Sequence, residues 1–299
     1  MKIGFIGLGT MGHPMARHIL KNGYELMIFN RTIEKMNALE QEGAIVAHSP
    51  KEVAEQSDII FTMLTADAAV EEMILGEDGV IDGAKPGLIV VDSSTISPKT
   101  SKKVAAELAK VKVEMLDAPV TGSEPQAIEG ILTFMVGGKQ EIYETCLPLF
   151  NIMGKNAYYM GEHGKGSYTK LANNSLAAIN LLAFSEAMTM AAKAGIDPEI
   201  FVKVVSGGGA RSAMVENKAE KVMNRDFTPH FMAQLLHKDL GLAADVAKEL
   251  EIPTPMLGVG KEIFQMAKAK GFGEEDMSAV IKCYEEWAGI AVTKVKEEV

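Results

Sequence analysis

Four short segments of this 299-residue chain carry residue types and spacings able to do chemistry. The first is Gly7-Leu8-Gly9-Thr10-Met11-Gly12. It follows the apolar run Ile3-Gly4-Phe5-Ile6 and precedes a helix-like stretch from Met15 to Lys21. A glycine turn between strand and helix binds a dinucleotide. The first glycine permits the tight turn, the second lets backbone approach the pyrophosphate, and the third lets helix pack on strand. The helix N-terminus adds N–H groups and the positive end of its dipole.

The second segment is Asp117-Ala118-Pro119-Val120-Thr121-Gly122-Ser123, after a predicted strand. It places hydroxyls and glycine-freed N–H groups where open α/β sheets bind ligands, and could hold a substrate carboxylate. By itself it is equally a loop with an N-cap. The third runs from Gly164-Lys165-Gly166 to Lys170 and Asn174. Lys170 and Asn174 are four apart and share a helix face. Hydride transfer to or from a carbon consumes or makes an alkoxide, which needs a proton donor or acceptor and a hydrogen-bonding partner. On spacing alone Lys170 reads more readily as a solvated helix lysine. The fourth is His237-Lys238-Asp239-Leu240-Gly241-Leu242, where Lys238 could reach a cofactor or an acidic substrate but reads locally as half of a surface pair.

These residues need a scaffold, and the apolar pattern supplies one. Candidate strands are 2–6, 24–29, 59–63, 88–91, 114–116 and 133–136, with helical patterns between most of them, such as 33–41, 68–75 and 99–110. That alternation predicts a Rossmann-type doubly wound α/β domain, residues 1–163. Beyond a last strand pattern at Tyr158–Met160 the sequence is helical. Residues 164–194 predict one helix of about 30 residues, roughly 45 Å long. Further helices are predicted at 198–205, 213–223, 231–250, 256–270 and 276–291. The second domain, 164–299, is expected to be all-helical, to provide substrate and oligomer contacts, and to be joined to the first by the long helix. A helix of that length is hard to bury in one small domain, so a homodimer or homotetramer is expected. The run Ser206-Gly207-Gly208-Gly209-Ala210 lacks the lysine–serine ending of a phosphate loop and reads as a helix–helix turn.

The end of the second strand selects the cofactor. Where an NAD enzyme usually carries an acidic residue for the ribose 2′-hydroxyl, this chain has Asn30-Arg31-Thr32. No carboxylate repels a 2′-phosphate there, and Arg31 offers a donor fork. NADP is expected over NAD, with NAD possible. Thr32 could alternatively cap the next helix, and Arg31 could be a solvated loop residue.

The bulk numbers narrow the classes. A net charge of −10 argues against nucleic acid as partner, and 47% apolar content suits a packed core. Cys146 and Cys283 form no metal spacing or disulfide framework, so no metal is expected. The first residues show no signal-peptide pattern, and no continuous apolar run of membrane-span length is evident. A cytoplasmic protein is expected.

Taken together and in this order, the four segments resemble the β-hydroxyacid dehydrogenases, which include 3-hydroxyisobutyrate dehydrogenase, tartronate semialdehyde reductase and the glyoxylate/succinic semialdehyde reductases. The resemblance covers essentially the whole chain. It implies that Lys170 is the acid–base lysine and that Asn174 orients substrate. It assigns Thr121, Gly122 and Ser123 to the carboxylate-binding turn and Lys238 to the nicotinamide end of the cleft. Met63, Leu64 and Thr95 become cofactor-contacting loop residues. Two departures matter. The turn more often reads Ser-Gly-Gly than Thr-Gly-Ser, and Asn30-Arg31-Thr32 is closest to the NADPH-using semialdehyde reductase branch. The implied activity is NADP-dependent, reversible reduction of a small carboxylate-bearing aldehyde. The alternatives are an NAD-dependent 3-hydroxyisobutyrate or related dehydrogenase, a related reductase of imines, a decarboxylating sugar-phosphate dehydrogenase, and a non-catalytic NADP-binding module.

Overall fold

The computed structural model describes residues 1–294. The chain divides into two compact units, Met1–Lys170 and Leu171 onward, and the division falls inside one long helix.

The first unit alternates strand and helix. It runs β1 (Lys2–Ile6), α1 (Gly12–Lys21), β2 (Glu25–Phe29), α2 (Asn37–Gln41), β3 (Ile45–Val46), α3 (Pro50–Gln56), β4 (Ile59–Thr62), α4 (Asp67–Leu75), α5 (Val80–Gly83), β5 (Ile89–Asp92) and α6 (Pro98–Lys110). It continues with β6 (Glu114–Asp117), β7 (Val120–Thr121), α7 (Glu124–Glu129), β8 (Leu132–Gly137), α8 (Gln140–Met153) and β9 (Gly154–Gly161). One sheet holds all nine strands in the order β3-β2-β1-β4-β5-β6-β8-β7, with β9 also on β8. The first six are parallel, and β8 is antiparallel to β6 and β7.

Both sheet faces are covered, and the period-2 geometry of a strand divides its residues between two cores. Ile3, Phe5, Ile28, Phe61, Val91 and Leu116 face one core with Met15 and Ile19 of α1 and Phe150 of α8. Ile6, Ile60, Val90 and Met115 face the other, with Val53 of α3, Ile74 of α4 and Val104 of α6.

Several boundaries differ from the sequence expectation. The single helix expected at 33–41 is a 3₁₀ turn, Ile33–Lys35, followed by the short α2. The two-residue strands β3 and β7 were not anticipated, because pairing to a neighbour defines them and no apolar run does. β9 has eight residues, most of them partly or fully exposed, and an edge strand of that kind leaves little apolar signature.

The long helix is α9, Lys165–Lys193, 29 residues. It is long and apolar enough to cross a membrane, with a window of mean hydropathy 1.3. Part of its apolar surface nonetheless has protein partners, while Leu176 and Met190 are exposed. Leu171, Ala178, Leu181, Phe184 and Met188 are buried in the helical core of the second unit. That unit continues with α10 (Pro198–Ser206), α11 (Ala213–Met223), α12 (Ala233–Glu249), α13 (Pro255–Ala269) and α14 (Ile281–Ala288). The glycine run begins at Ser206, the last residue of α10, and its residues 207–210 lie in the α10–α11 connection. The helix expected at 276–291 is a 3₁₀ turn, Met277–Val280, then α14, which Gly289 ends in the left-handed conformation at φ 65°.

Candidate functional site

Apart from the Gly164–Lys170 segment, the candidate segments of the first unit start from one line across the sheet. Phe29, Ile6, Thr62, Asp92 and Asp117 are register partners on β2, β1, β4, β5 and β6. They end, or nearly end, five parallel strands. The loops that follow carry Asn30–Thr32, Gly7–Gly12, Met63–Leu64, Thr95 and Thr121–Ser123. The carboxyl edge of a doubly wound sheet is where such folds bind ligands.

The glycine turn is tightly built. Gly7 has φ +99°, and a Cβ there would lie 2.4 Å from the Met63 carbonyl oxygen. A Cβ on Gly12 would lie 1.9 Å from the Gly7 carbonyl oxygen. Gly9 differs, since a Cβ there would meet no protein atom within 4 Å. Protein packing therefore does not demand glycine at that position, and the open space leaves the backbone accessible to a ligand. Gly9 and Thr10 line a cavity of about 360 Å³ with His13, Pro14, Arg17 and Glu124. No acidic residue occupies the first turn of α1. The turn thus fits the pyrophosphate of a dinucleotide.

Asn30 braces this turn. Leu8 N–H donates to its side-chain oxygen at 2.9 Å, and its amide donates to the Thr32 carbonyl at 2.9 Å. Arg31 and Thr32 are exposed. The Thr32 side chain makes no capping bond to the 3₁₀ turn it precedes, so the capping alternative does not hold.

Sequence reasoning missed a buried carboxylate, Asp92, that ties the next two loops together. Its Oδ1 accepts from Thr62 Oγ1 at 2.7 Å and from Ser94 N–H at 3.2 Å, while Ser94 Oγ accepts from Leu64 N–H at 2.8 Å. Burial pushes the Asp92 carboxyl above the usual carboxylate range. Hydrogen bonds from Ser94 and Thr62 oppose the shift, and the neighbouring Asp117 adds to it.

Asp117 is the second such group. Its Oδ1 accepts from Gly164 N–H at 2.7 Å. Its Oδ2 accepts from Ser167 N–H at 2.8 Å and Ser167 Oγ at 3.1 Å. His163 Nδ1 lies 3.6 Å from Oδ1, and its Nε2 lies 3.0 Å from Ser101 Oγ. The carboxylate thus satisfies N–H groups at the start of α9, which have no partner within the helix. It also fits the positive end of the helix dipole. Gly166 permits the approach, since a Cβ there would lie 2.3 Å from the Met135 carbonyl and 2.5 Å from that of Asp117. One turn beyond Gly166 stands Lys170, which is only 9% exposed, so it is not a solvated helix lysine.

In the turn after β6, Ser123 caps α7. Both its N–H and its hydroxyl donate to Gln126 Oε1 at 2.9 Å. This accounts for serine at a position where the resemblance led us to expect glycine. Thr121 lies on β7, and Gly122 turns with φ +120°.

In the second unit, Asn174 Nδ2 donates to Asp239 Oδ2 at 2.6 Å, and both residues are buried. Lys238 Nζ lies 3.1 Å from Asp239 Oδ1. Asp239 is 2% exposed, so Lys238–Asp239 is not a surface pair. Sequence reasoning quoted Asp239 within its motif and gave it no role; its link to Asn174 spans 65 positions and carries no local signal. Among the described residues no group of His, Cys, Asp or Glu is placed to hold a metal ion.

Comparison with known proteins gives the family. Residues 2–161 match the NAD binding domain of 6-phosphogluconate dehydrogenase, and residues 164–284 match the NAD-binding region of NADP-dependent 3-hydroxyisobutyrate dehydrogenase. The chain is a β-hydroxyacid dehydrogenase of the 3-hydroxyisobutyrate dehydrogenase-like family. It is 39% identical to the 2-(hydroxymethyl)glutarate dehydrogenase of Eubacterium barkeri, over 98% of each chain. It is also 39% identical to the 2-hydroxy-3-oxopropionate reductase of Escherichia coli (strain K12), over 95% of this chain and 97% of that one. The crystal structure of 3-hydroxyisobutyrate dehydrogenase from Salmonella typhimurium superposes with a TM-score of 0.87 at 35% identity, covering 95% of this chain and 99% of that one. This β-hydroxyacid dehydrogenase is thus an NAD(P)-dependent oxidoreductase.

Removing the Asp117 carboxylate tests how α9 is held in this dehydrogenase. Asp117→Ala leaves two N–H groups and a hydroxyl without acceptors. The expected loss is about 2–4 kcal/mol of unfolding free energy in urea titrations. A loss under about 0.5 kcal/mol would show that these bonds do not hold the helix start.

Proposed function

We propose that this chain is an NADP-dependent reductase of a small aldehyde that carries a carboxylate, giving the hydroxy acid reversibly. Glyoxylate, succinic semialdehyde and 2-hydroxy-3-oxopropionate are members of that class. The observation that carries the reading is Lys170. It is a buried lysine one turn from a pinned helix start, in the same unit as the dinucleotide turn. The names of the relatives support the substrate class, because each denotes a carboxylate with a primary alcohol or the matching aldehyde.

In this reading Thr121 and Gly122 receive the substrate carboxylate, with Ser123 acting chiefly through the helix it caps. A bound nicotinamide supplies the hydride. Lys170 holds the proton required at the former carbonyl oxygen, and in the reverse direction accepts it. The resemblance assigns Asn174, whose amide donates to Asp239, to orienting the substrate, and Lys238 to the nicotinamide. Gly7–Gly12 cradle the pyrophosphate. Met63, Leu64 and Thr95 line the cofactor from the loops that Asp92 ties together. Arg31 and Thr32 take the 2′-phosphate, for which Arg31 has the donor geometry and Thr32 an uncommitted capping hydroxyl.

We also infer that the chain self-associates through its second unit. Met190, Met256 and Val259 are exposed there beside Ile179, Leu182 and Ile263. A contiguous apolar surface of that kind marks a contact site. Light scattering is expected to give at least the dimer mass, and a monomer at micromolar concentration would remove this inference.

Two variants test the chemistry. Lys170→Ala is expected to lower kcat by at least ~10²-fold on whichever of the three aldehydes is turned over best, with NADPH binding retained. Near-normal turnover would sink the assignment. Arg31→Asp is expected to reverse the ratio of kcat/KM for NADPH over NADH, and an unchanged ratio would show that Arg31 does not read the 2′-phosphate.

A further inference from the structure

The residue that opposes Arg31 was not singled out by any motif. Strands β2 and β4 flank β1, so the loop after β2 and helix α4 after β4 stand on either side of the glycine turn. Across that gap Arg31 Nη1 lies 3.7 Å from Glu72 Oε2 on α4, with the two side chains 69% and 58% exposed. A committed charge-assisted hydrogen bond is shorter, at about 2.7–2.9 Å. The Arg17–Glu42 pair of the same unit shows one, at 2.8 Å. Arg31 is therefore paired loosely, in solvent, to a carboxylate that a competing anion can displace.

We propose that Glu72 sets the margin between NADP and NAD. It is the resident counter-ion of Arg31, and the 2′-phosphate must take the guanidinium from it. This rests on the reading that Arg31 receives that phosphate. A 2′-phosphate entering beside Arg31 gains the guanidinium but comes within a few ångströms of a like charge. A 2′-hydroxyl needs neither contact. Glu72 thus weakens NADPH binding and leaves NADH binding nearly untouched. The effect is modest because both groups are exposed and screened. An exposed pair of this kind corresponds to about a two- to fivefold change in affinity at low salt, fading as salt rises.

Calorimetric titration of the full chain with NADPH and with NADH tests this without any aldehyde. Glu72→Gln is expected to tighten NADPH by about two- to fivefold at low salt and to leave NADH unchanged. Glu72→Lys is expected to tighten NADPH further. Both gains should shrink at ~0.5 M salt, where the Debye length falls to a few ångströms. Arg31→Ala separates the two levels of inference. If it weakens NADPH selectively while neither Glu72 variant tightens NADPH, the role of Glu72 is overturned and that of Arg31 stands. If it weakens NADPH and NADH equally, the reading of Arg31 fails and the inference about Glu72 falls with it. Matching thermal unfolding of all variants shows that the affinities belong to folded protein.

Discussion

The structure of the first unit turns on a single buried carboxylate. Asp117 ends β6 and accepts from Gly164 and Ser167, so it joins the strand edge to the first turn of α9. Two other consequences follow from the same group. The polypeptide that leaves β6 runs through the short β7 into the turn at Gly122–Ser123. The helix it pins carries Lys170. One side chain thus fixes the origin of both segments within the sheet. The requirement is steric as well as electrostatic, because a Cβ on Gly137 would lie 2.5 Å from Asp117 Oδ1. The glycines around Asp117 and Lys170 therefore serve close packing.

Asp92 stands beside Asp117 in the sheet register and does related work on the cofactor side. Both carboxylates are buried, and both organise backbone beyond the strand ends. They differ in what they face. Asp117 meets the N–H groups of a helix start, whereas Asp92 meets one hydroxyl and one N–H and lies next to another acid. The physical outcome is an elevated affinity of Asp92 for a proton, caused first by burial. Two acids at the carboxyl edge of neighbouring strands form a polar seam along the line from which the ligand-facing loops depart.

The end of β2 shows how one residue type can serve both loop structure and cofactor choice. Asn30 accepts from Leu8 and donates to Thr32. An aspartate could keep the first bond but would set an oxygen against the Thr32 carbonyl. Asparagine therefore suits the geometry of the turn and also leaves the edge without a carboxylate of its own. The nearest negative charge to Arg31 comes instead from α4, through Glu72. The electrostatics of this corner belong to two elements about 40 positions apart, and no motif of one segment describes them.

Much of the fold and the dinucleotide turn was legible because their signals are local. Alternating apolar runs placed six strands within a residue or two. A glycine spacing after a strand is a steric requirement of the turn itself. The absence of a proline and the helical composition after Gly164 announced the long helix. What the sequence by itself determined was therefore the class of fold, the dinucleotide turn, the resemblance to a dehydrogenase family and the segments worth watching. Only the tertiary structure decided which of those segments were more than local features. Lys170 and Asp239 read as solvent-facing from their neighbours in sequence, and they are buried. Ser123 read as a ligand contact or an N-cap, and its donors point to Gln126. β7 and β9 exist because β8 pairs with them. Burial and pairing are set by partners far away in the chain, 65 positions for Asn174 and Asp239, and a side chain's neighbours in sequence do not report them.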